Sequence, residues 1–343
     1  MHKQPGVLFD RRYYEYNLPR LSLENADRLR GLYRTLEGPE YRGRLQVCRP
    51  RQATAAEIAY AHSPFYLEQL RQRVTTDAPA CYDQDAYLME QSLYAAGLAA
   101  GGCLEMADRI MAGDIDYGFA LIRPPGHHAE PGRGVGFCVF NNVAITAEHL
   151  RRVHGLERIL ILDFDVHHGS GTQSVFYDSD QVVFVSIHQQ DLFPYTGLAE
   201  EVGCGKGQGY TINLPTDPLC ADPEYMHLLD KVLSGVAARR QPQMILVSAG
   251  FDGHCEDPIS TTLLTTRWYA AITELLKHLA RETCEDRLMF VLEGGYNPAA
   301  LEESVLAVVE SLLQPAGNRP ETIHSERAAR ILERHPLRAS WTI

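Results

Sequence analysis

Five short apolar runs punctuate the chain at Gly118–Ile122, Arg158–Leu162, Val182–Ile187, Met244–Ser248 and Leu288–Leu292. They are continuous rather than alternating, which predicts strands covered on both faces. Helical patterns fall between several of them, at Asn141–Val153, Pro223–Ala238, Thr265–Ala280 and Ala299–Leu313. Upstream, Thr54-Ala55-Ala56-Glu57 is a capping-box pattern, and Ser63-Pro64 supplies an N-cap followed by a first-turn proline. A small-residue helix is expected over Ser92–Ala112, stopped by Gly113 and suited to close packing on a sheet. This alternation predicts a doubly wound α/β domain with a mostly parallel sheet. No linker, repeat or low-complexity tract divides it.

Each run leads into a polar motif. Arg123-Pro124-Pro125-Gly126-His127-His128 follows the first, and Asp163-Phe164-Asp165-Val166-His167-His168-Gly169 the second. Ser186-Ile187-His188 closes the third, Ser248-Ala249-Gly250-Phe251-Asp252 follows the fourth, and Glu293-Gly294-Gly295-Tyr296-Asn297 the fifth. Open α/β sheets bind ligands outside the carboxyl ends of their strands, so one rim is expected to gather all five. In an extended chain, side chains two apart point the same way, so Asp165 and His167 are expected to converge on one ion, with Asp163 a step behind. A solvated acidic turn is the competing reading, but turns seldom follow so apolar a run.

Asp165, His167 and Asp252 make a ligand set of two carboxylates and one imidazole. Catalytic zinc sites keep three protein ligands and an open position, and such an ion lowers the pKa of bound water towards ~7. The set is hard enough to suit Fe2+ or Co2+ as well. In isolation, Asp252 before Gly253 reads equally well as a turn aspartate. His127 and His128 are candidates for a general base, with Asp163 placed to orient one of them; satisfied core histidines are the alternative. Tyr296, presented by Gly294-Gly295, is a candidate oxyanion donor, although a glycine-turn tyrosine is structural by default. Phe137 and Phe193 suit the walls of a narrow channel, or else the core. Gly132-Arg133-Gly134-Val135-Gly136-Phe137 looks like a nucleotide loop only superficially, since no strand directly precedes it and no ribose-binding acid follows.

Composition narrows the classes further. With 343 residues, 45% hydrophobic and 22% charged, the chain can bury a sizeable core. A net charge of −12 argues against nucleic-acid binding and mildly favours cationic ligands. The eight cysteines include no CxxC pair, which excludes a zinc finger or thioredoxin-type site and suggests reduced thiols. No apolar stretch approaches a membrane span and the start lacks a signal core, so a cytoplasmic protein is expected.

In their order, these motifs resemble the zinc-dependent histone deacetylase superfamily, specifically its class II-like bacterial members. The resemblance rests on R-P-P-G-H-H-A at Arg123–Ala129, G-F-C-x-F-N-N-x-A at Gly136–Ala144, D-x-D-x-H-H-G at Asp163–Gly169, S-A-G-F-D at Ser248–Asp252 and E-G-G-Y at Glu293–Tyr296. It runs from about Leu8 to Leu313. It implies the arginase–deacetylase fold: a single domain over residues 1–343 with a central, mostly parallel eight-stranded sheet flanked by helices. The core is expected at about 8–313, with the tail 314–343 packing on it. It also implies hydrolysis of an N-acyl amide on a long amine. Carried over, Asp165, His167 and Asp252 bind Zn2+, and His127 and His128 are the tandem histidines, the second the general base. Tyr296 polarises the acyl carbonyl, and Gly136, Phe137 and Phe193 line the channel. A structural K+ is implied near Asp163, the backbone of Asp165 and His167, Ser186 and Ile187. A second monovalent site maps to Phe176, Val182 and Tyr210, and Arg28 to an acetate-release pocket.

Several positions depart from the family pattern. Ser170 stands where Asn or Asp is usual, which puts the partner of His128 in doubt. The entry segment reads Leu21–Leu29 without the usual motif, and Tyr13, Tyr14 and Tyr16 are expected on a loop at the channel mouth. Tyr195 replaces a common glycine in Phe193-Pro194-Tyr195-Thr196-Gly197.

For substrate, acetyl or another short acyl group on lysine in peptides or proteins is expected, with acetylpolyamine as the alternative. The connector Val74–Ala86 is too short for the channel-narrowing insertion of acetylpolyamine relatives. Ile259 in the channel stands where polyamine-selective relatives of another kind carry glutamate. Glu90 near the rim keeps a cationic substrate open. Arginase-like ureohydrolysis would need a second metal set that Asp165–Gly169 and Asp252–His254 do not supply. A non-catalytic acyl-lysine reader would not need so complete a set. Hydroxamate-type inhibitors are expected to bind, and an oligomer is left open.

Overall fold

The apolar runs form the middle of one sheet. The computed structural model describes residues 3–16, 22–74, 80–83 and 86–342, with only the backbone of 80–83, 86 and 87. In chain order the strands are β1 (Gly6–Leu8), β2 (Gln46–Cys48), β3 (Ala80–Asp83), β4 (Ala86–Leu88), β5 (Tyr117–Ala120), β6 (Ile159–Asp163), β7 (Val182–Gln189), β8 (Thr211–Thr216), β9 (Met244–Ala249) and β10 (Leu288–Leu292). Eight of them make a sheet of order β2-β1-β5-β10-β9-β6-β7-β8, and every neighbouring pair is parallel. β3 and β4 form a separate antiparallel pair.

The central strands β5, β6, β7, β9 and β10 are buried at every position, as their continuous apolar runs predicted. Helices Asn142–His154, Asp222–Arg240 and Thr266–Thr283 are crossovers between parallel strands of the sheet, the last joining the neighbours β9 and β10. The expectation of a parallel α/β domain holds. Three strands of the eight-stranded sheet escaped the sequence pattern. β1 and β2 are three residues each, too short to register as runs. β8 reads Thr-Ile-Asn-Leu-Pro-Thr, and its Pro215 is tolerated because β8 is an edge strand with one unpaired side.

The helix starts follow their caps. Thr54 and Glu57 form the reciprocal capping box, and Ser63 Oγ accepts from Tyr66 N at 3.2 Å. Asn141 caps rather than begins its helix, its side chain accepting from Ala144 N at 3.0 Å. The small-residue helix starts two residues earlier than expected and runs Glu90–Met111. A Cβ on Gly101 would lie 2.2 Å from the Arg51 carbonyl oxygen, so glycine is what lets that helix touch the 51–53 segment.

One expectation is overturned. Tyr13 and Tyr16 are buried, not at a channel mouth. The Tyr13 hydroxyl donates to Leu98 O at 3.0 Å, Arg123 sits 4.2 Å over the Tyr16 ring, and Tyr14 packs on Tyr33. The segment Arg12–Glu15 is a helical turn laid against the core, where ring area outweighs the phenol's polarity. Leu21 of the entry segment, and residues 75–79 and 84–85 of the Val74–Ala86 connector, lie outside the described residues. Beyond residue 313, Ala328, Leu332, Leu337 and Trp341 join the core cluster, and the Trp341 indole donates to Gly209 O at 2.8 Å. Among the described residues no helix is long and apolar enough to cross a membrane.

Candidate active site

The D-x-D-x-H spacing works differently from the strand alternation expected of it. β6 ends at Asp163, and the chain bends through the residues that follow. Asp163 Oδ1 accepts from Asp165 N at 3.2 Å, and Asp165 Oδ1 accepts from His167 N at 2.9 Å. These are two successive turns closed by an aspartate on the amide two residues ahead. They fold the motif back so that its side chains converge.

Asp252, just past β9, completes the cluster. His167 Nδ1 lies 3.0 Å from Asp165 Oδ1 and 3.0 Å from Asp252 Oδ2. One donor atom from each of the three residues falls within 4.8 Å of the others, and all three residues are buried. Backbone amides hold the remaining oxygens: Val166 N donates to Asp252 Oδ1 at 3.1 Å and Gly294 N to Asp165 Oδ2 at 2.8 Å.

The surroundings fit a cation. Asp163, Asp165, Asp252 and Glu293 are all buried together, an excess of carboxylate that no interior tolerates without positive charge. Burial, then the charge of Asp165, pushes Asp252 up, and burial pushes Asp163 up to about 6 and Glu293 up to about 7. Burial opposes a charged His167, yet its bonds to Asp165 and Asp252 push it up to about 10. A Cβ at Gly250 would lie 2.1 Å from Asp165 Oδ2, and one at Gly294 2.2 Å from Asp252 Oδ2. The glycines leave just the space that the two carboxylates fill.

The tandem histidines differ. His127 Nδ1 is 3.0 Å from Asp163 Oδ2, and its Nε2 is 3.8 Å from Asp165 Oδ1. Burial works against its charge, but Asp163 and Asp165 prevail and raise its pKa well above the ordinary value. His128 stacks beside it with ring centroids 3.9 Å apart. Burial, then the charge on His127, drives His128 well below its ordinary pKa, so it stays neutral. Its Nδ1 is buried with no partner among the described residues, and Ser170 does not supply one. His168 points elsewhere, Nδ1 at 2.8 Å from Thr196 Oγ1 and Nε2 at 3.0 Å from Gln173 Oε1.

The remaining predicted residues surround this centre. Phe193 meets His128 edge-on at 5.1 Å, and Phe137 lies 6.0 Å from the Tyr296 ring. Gly136, at φ 54°, sits between, since a Cβ there would be 2.7 Å from both His128 Cδ2 and Phe193 Cε1. Tyr296 is half-buried and its phenol is held protonated by burial. Arg28 is buried behind it, 5.0 Å over the ring, with Nε donating to Gly295 O at 2.6 Å. Ile259 is half-buried beside Asp257. Asp163 and Ser186 stand directly opposite across β6 and β7, with Ile187 next in β7. Phe176, Val182 and Tyr210 lie at the far end, around the starts of β7 and β8. Glu90 is exposed on the first turn of its helix.

Two acids with work to do escaped the sequence reading. Glu293 Oε2 accepts from Gly126 N at 2.6 Å and His127 N at 3.1 Å, fixing the histidine turn. Asp257 accepts from Tyr296 N at 2.6 Å and Asn297 N at 3.1 Å, fixing the glycine turn. A charge placed directly after the Leu288–Leu292 run was the available signal for Glu293; nothing local marked Asp257.

A parallel α/β fold with a buried carboxylate–imidazole cluster at its strand ends is the arrangement of a metal-dependent hydrolase. Residues 22–312 match the histone deacetylase domain, and the chain belongs to that family. It is 35% identical to a probable deacetylase of Archaeoglobus fulgidus over 96% of this chain and 94% of that one. It is likewise 35% identical to the polyamine deacetylase HDAC10 of Homo sapiens, over 91% of this chain and 49% of that protein. The crystal structure of the HDA15 HD domain superposes with a TM-score of 0.89 at 32% identity, covering 99% of this chain and 97% of that one.

Proposed function

We propose that this deacetylase removes acetyl or other short acyl groups from the side-chain amine of lysine in peptides or proteins. Asp165, His167 and Asp252 would hold a Zn2+ ion, with Fe2+ and Co2+ as alternatives for this donor set. When bound, the ion would polarise the acyl carbonyl and acidify a water. His128, neutral and unpartnered at Nδ1, takes the proton of the attacking water. His127, held by Asp163, carries the positive charge beside it and delivers a proton to the departing amine. Tyr296 donates its hydroxyl to the developing oxyanion, which its protonated state allows. Phe137, Phe193 and Gly136 would line an apolar passage for a methylene stem, the two rings lying beside His128 and Tyr296. Asp163 and Ser186, adjacent across two strands, would hold a K+ at the back of the site, and Phe176, Val182 and Tyr210 would surround a second monovalent ion.

The observation that carries the lysine reading is the engagement of Asp257, the acid nearest Ile259 in the sequence, by backbone amides. Asp257, two residues before it, has both oxygens engaged by the amides of Ile259, Tyr296 and Asn297, which makes it a poorer partner for an internal ammonium. A polyamine would arrive with that ammonium unpaired. Acetylpolyamine hydrolysis stays the second reading because HDAC10, at 35% identity, is named a polyamine deacetylase. Comparing kcat/KM on an acetyl-lysine peptide with that on acetylspermidine and acetylputrescine tests this: the peptide should be preferred by at least about tenfold, and a preference for either polyamine would overturn it.

A further inference from the structure

Away from the rim, Asp108, His149 and His154 form a second group of metal-ligating side chains. Asp108 comes from the helix Glu90–Met111, near its end, and the histidines from Asn142–His154, of which His154 is the last residue. Nε2 of His149 and Nε2 of His154 each lie 2.7 Å from the same oxygen, Asp108 Oδ1, with the two rings 5.6 Å apart and edge to face. The candidate active site has the inverse arrangement, one imidazole nitrogen standing 3.0 Å from two carboxylate oxygens.

Three features bear on the role of this group. His149 is buried, and its Nδ1 has no partner among the described residues, so either tautomer strands one ring nitrogen. An apolar side chain would fill that space at lower cost. The cluster also sits at a helix C-terminus, whose unpaired carbonyls favour a cation. The nearby arginines are committed elsewhere, Arg151 and Arg152 to Glu148 and Arg51 to Glu57.

We propose that Asp108, His149 and His154 bind a divalent ion of the zinc type, joining the two helices and leaving a fourth position to solvent. Two imidazoles and a carboxylate select Zn2+ and its first-row neighbours over Mg2+ or Ca2+. Bond lengths of about 2.0–2.1 Å would separate the donors by roughly 3.3 Å, so the side chains open by about half an ångström. Asp108 and His154 are 39% and 23% exposed at the side chain, which gives an ion access. The chain runs from His154 through Gly155 into the start of β6, whereas Asp163 ends that strand. The two centres therefore sit at opposite ends of the sheet, and the second ion is a staple rather than a catalyst.

Metal-free protein titrated with Zn2+ alone tests this. The wild type should bind one more equivalent than His154→Ala, and Zn2+ should raise the Tm further in the wild type than in the variant. Asp108→Asn, which keeps the side-chain shape, should behave like His154→Ala, and turnover on an acetyl-lysine peptide should match the wild type in both. Equal stoichiometry and an equal Zn2+-dependent Tm across the three proteins would overturn the assignment, whatever the outcome at Asp165, His167 and Asp252.

Discussion

The amide of Gly294 donates to Asp165 Oδ2 at 2.8 Å, although 129 residues separate them. The same glycine leaves room for Asp252, whose Oδ2 would lie 2.2 Å from a Cβ at position 294. The turn that presents Tyr296 is therefore also a wall of the carboxylate cluster. Gly294→Ala is expected to weaken metal binding by at least about tenfold and to lower turnover with it. Metal content after dialysis, measured beside kcat, checks this; an active, fully loaded variant would contradict it.

Removing the ion should abolish hydrolysis without unfolding the protein, because amides and His127 already hold the carboxylates in place. Chelation followed by return of Zn2+, Co2+ or Fe2+ should restore turnover to different extents. Residual activity in protein shown to be free of metal would refute the proposed chemistry.

Tyr296→Phe removes the phenol while keeping its packing against Arg28 and Phe137. Loss of one oxyanion donor costs ~10²–10³ in turnover, and metal content should not change. Turnover close to wild type would show that Tyr296 plays no part in the step.

Gly136→Ala places a methyl group against His128 and Phe193 at a backbone conformation with φ 54°. The left-handed conformation alone costs roughly 1–2 kcal/mol for a non-glycine residue. A fall in kcat/KM of about tenfold or more is expected, with metal content retained, and an unchanged value would place the channel elsewhere.

His62 governs part of the acid side of the stability curve. Its Nδ1 lies 2.9 Å from Glu130 O, and its Nε2 accepts from Asn141 N at 2.8 Å, an arrangement that needs the neutral ring. Burial lowers its pKa to about 4 against 6.5 unfolded, with the Glu130 contact opposing only in part. The unfolded state therefore takes up the proton first as pH falls. Its contribution is complete above pH 6.5 and lost as pH drops through about 4, on the order of 3 kcal/mol in all. Urea unfolding of wild type and His62→Gln across that window should show the difference shrinking with acid, and parallel curves would rule it out.

Most of this was legible along the chain because strands buried on both faces need uninterrupted apolar residues, and a polar motif after such a run has only the rim to occupy. The five central strands and Asp165, His167 and Asp252 follow from that constraint. Very short strands and edge strands do not obey it: β1, β2 and β8 are stabilised by neighbours, not by their own composition. The burial of Tyr13 and Tyr16 was likewise invisible, since a tyrosine reads the same whether its ring faces solvent or the core.

What the sequence determined by itself was the identity of the chemistry: two carboxylates, paired imidazoles and a glycine-presented phenol, in the order of the deacetylase family. Only the tertiary structure decided how the groups are used. It folded Asp163 and Asp165 into successive turns, separated a charged His127 from a neutral His128, and gave Glu293 and Asp257 their places as backbone clamps. It also brought Asp108 to His149 and His154 across two helices. Residue type sets what a group can do, but charge, tautomer and reach depend on neighbours that lie as many as 267 positions away, as Gly295 does from Arg28.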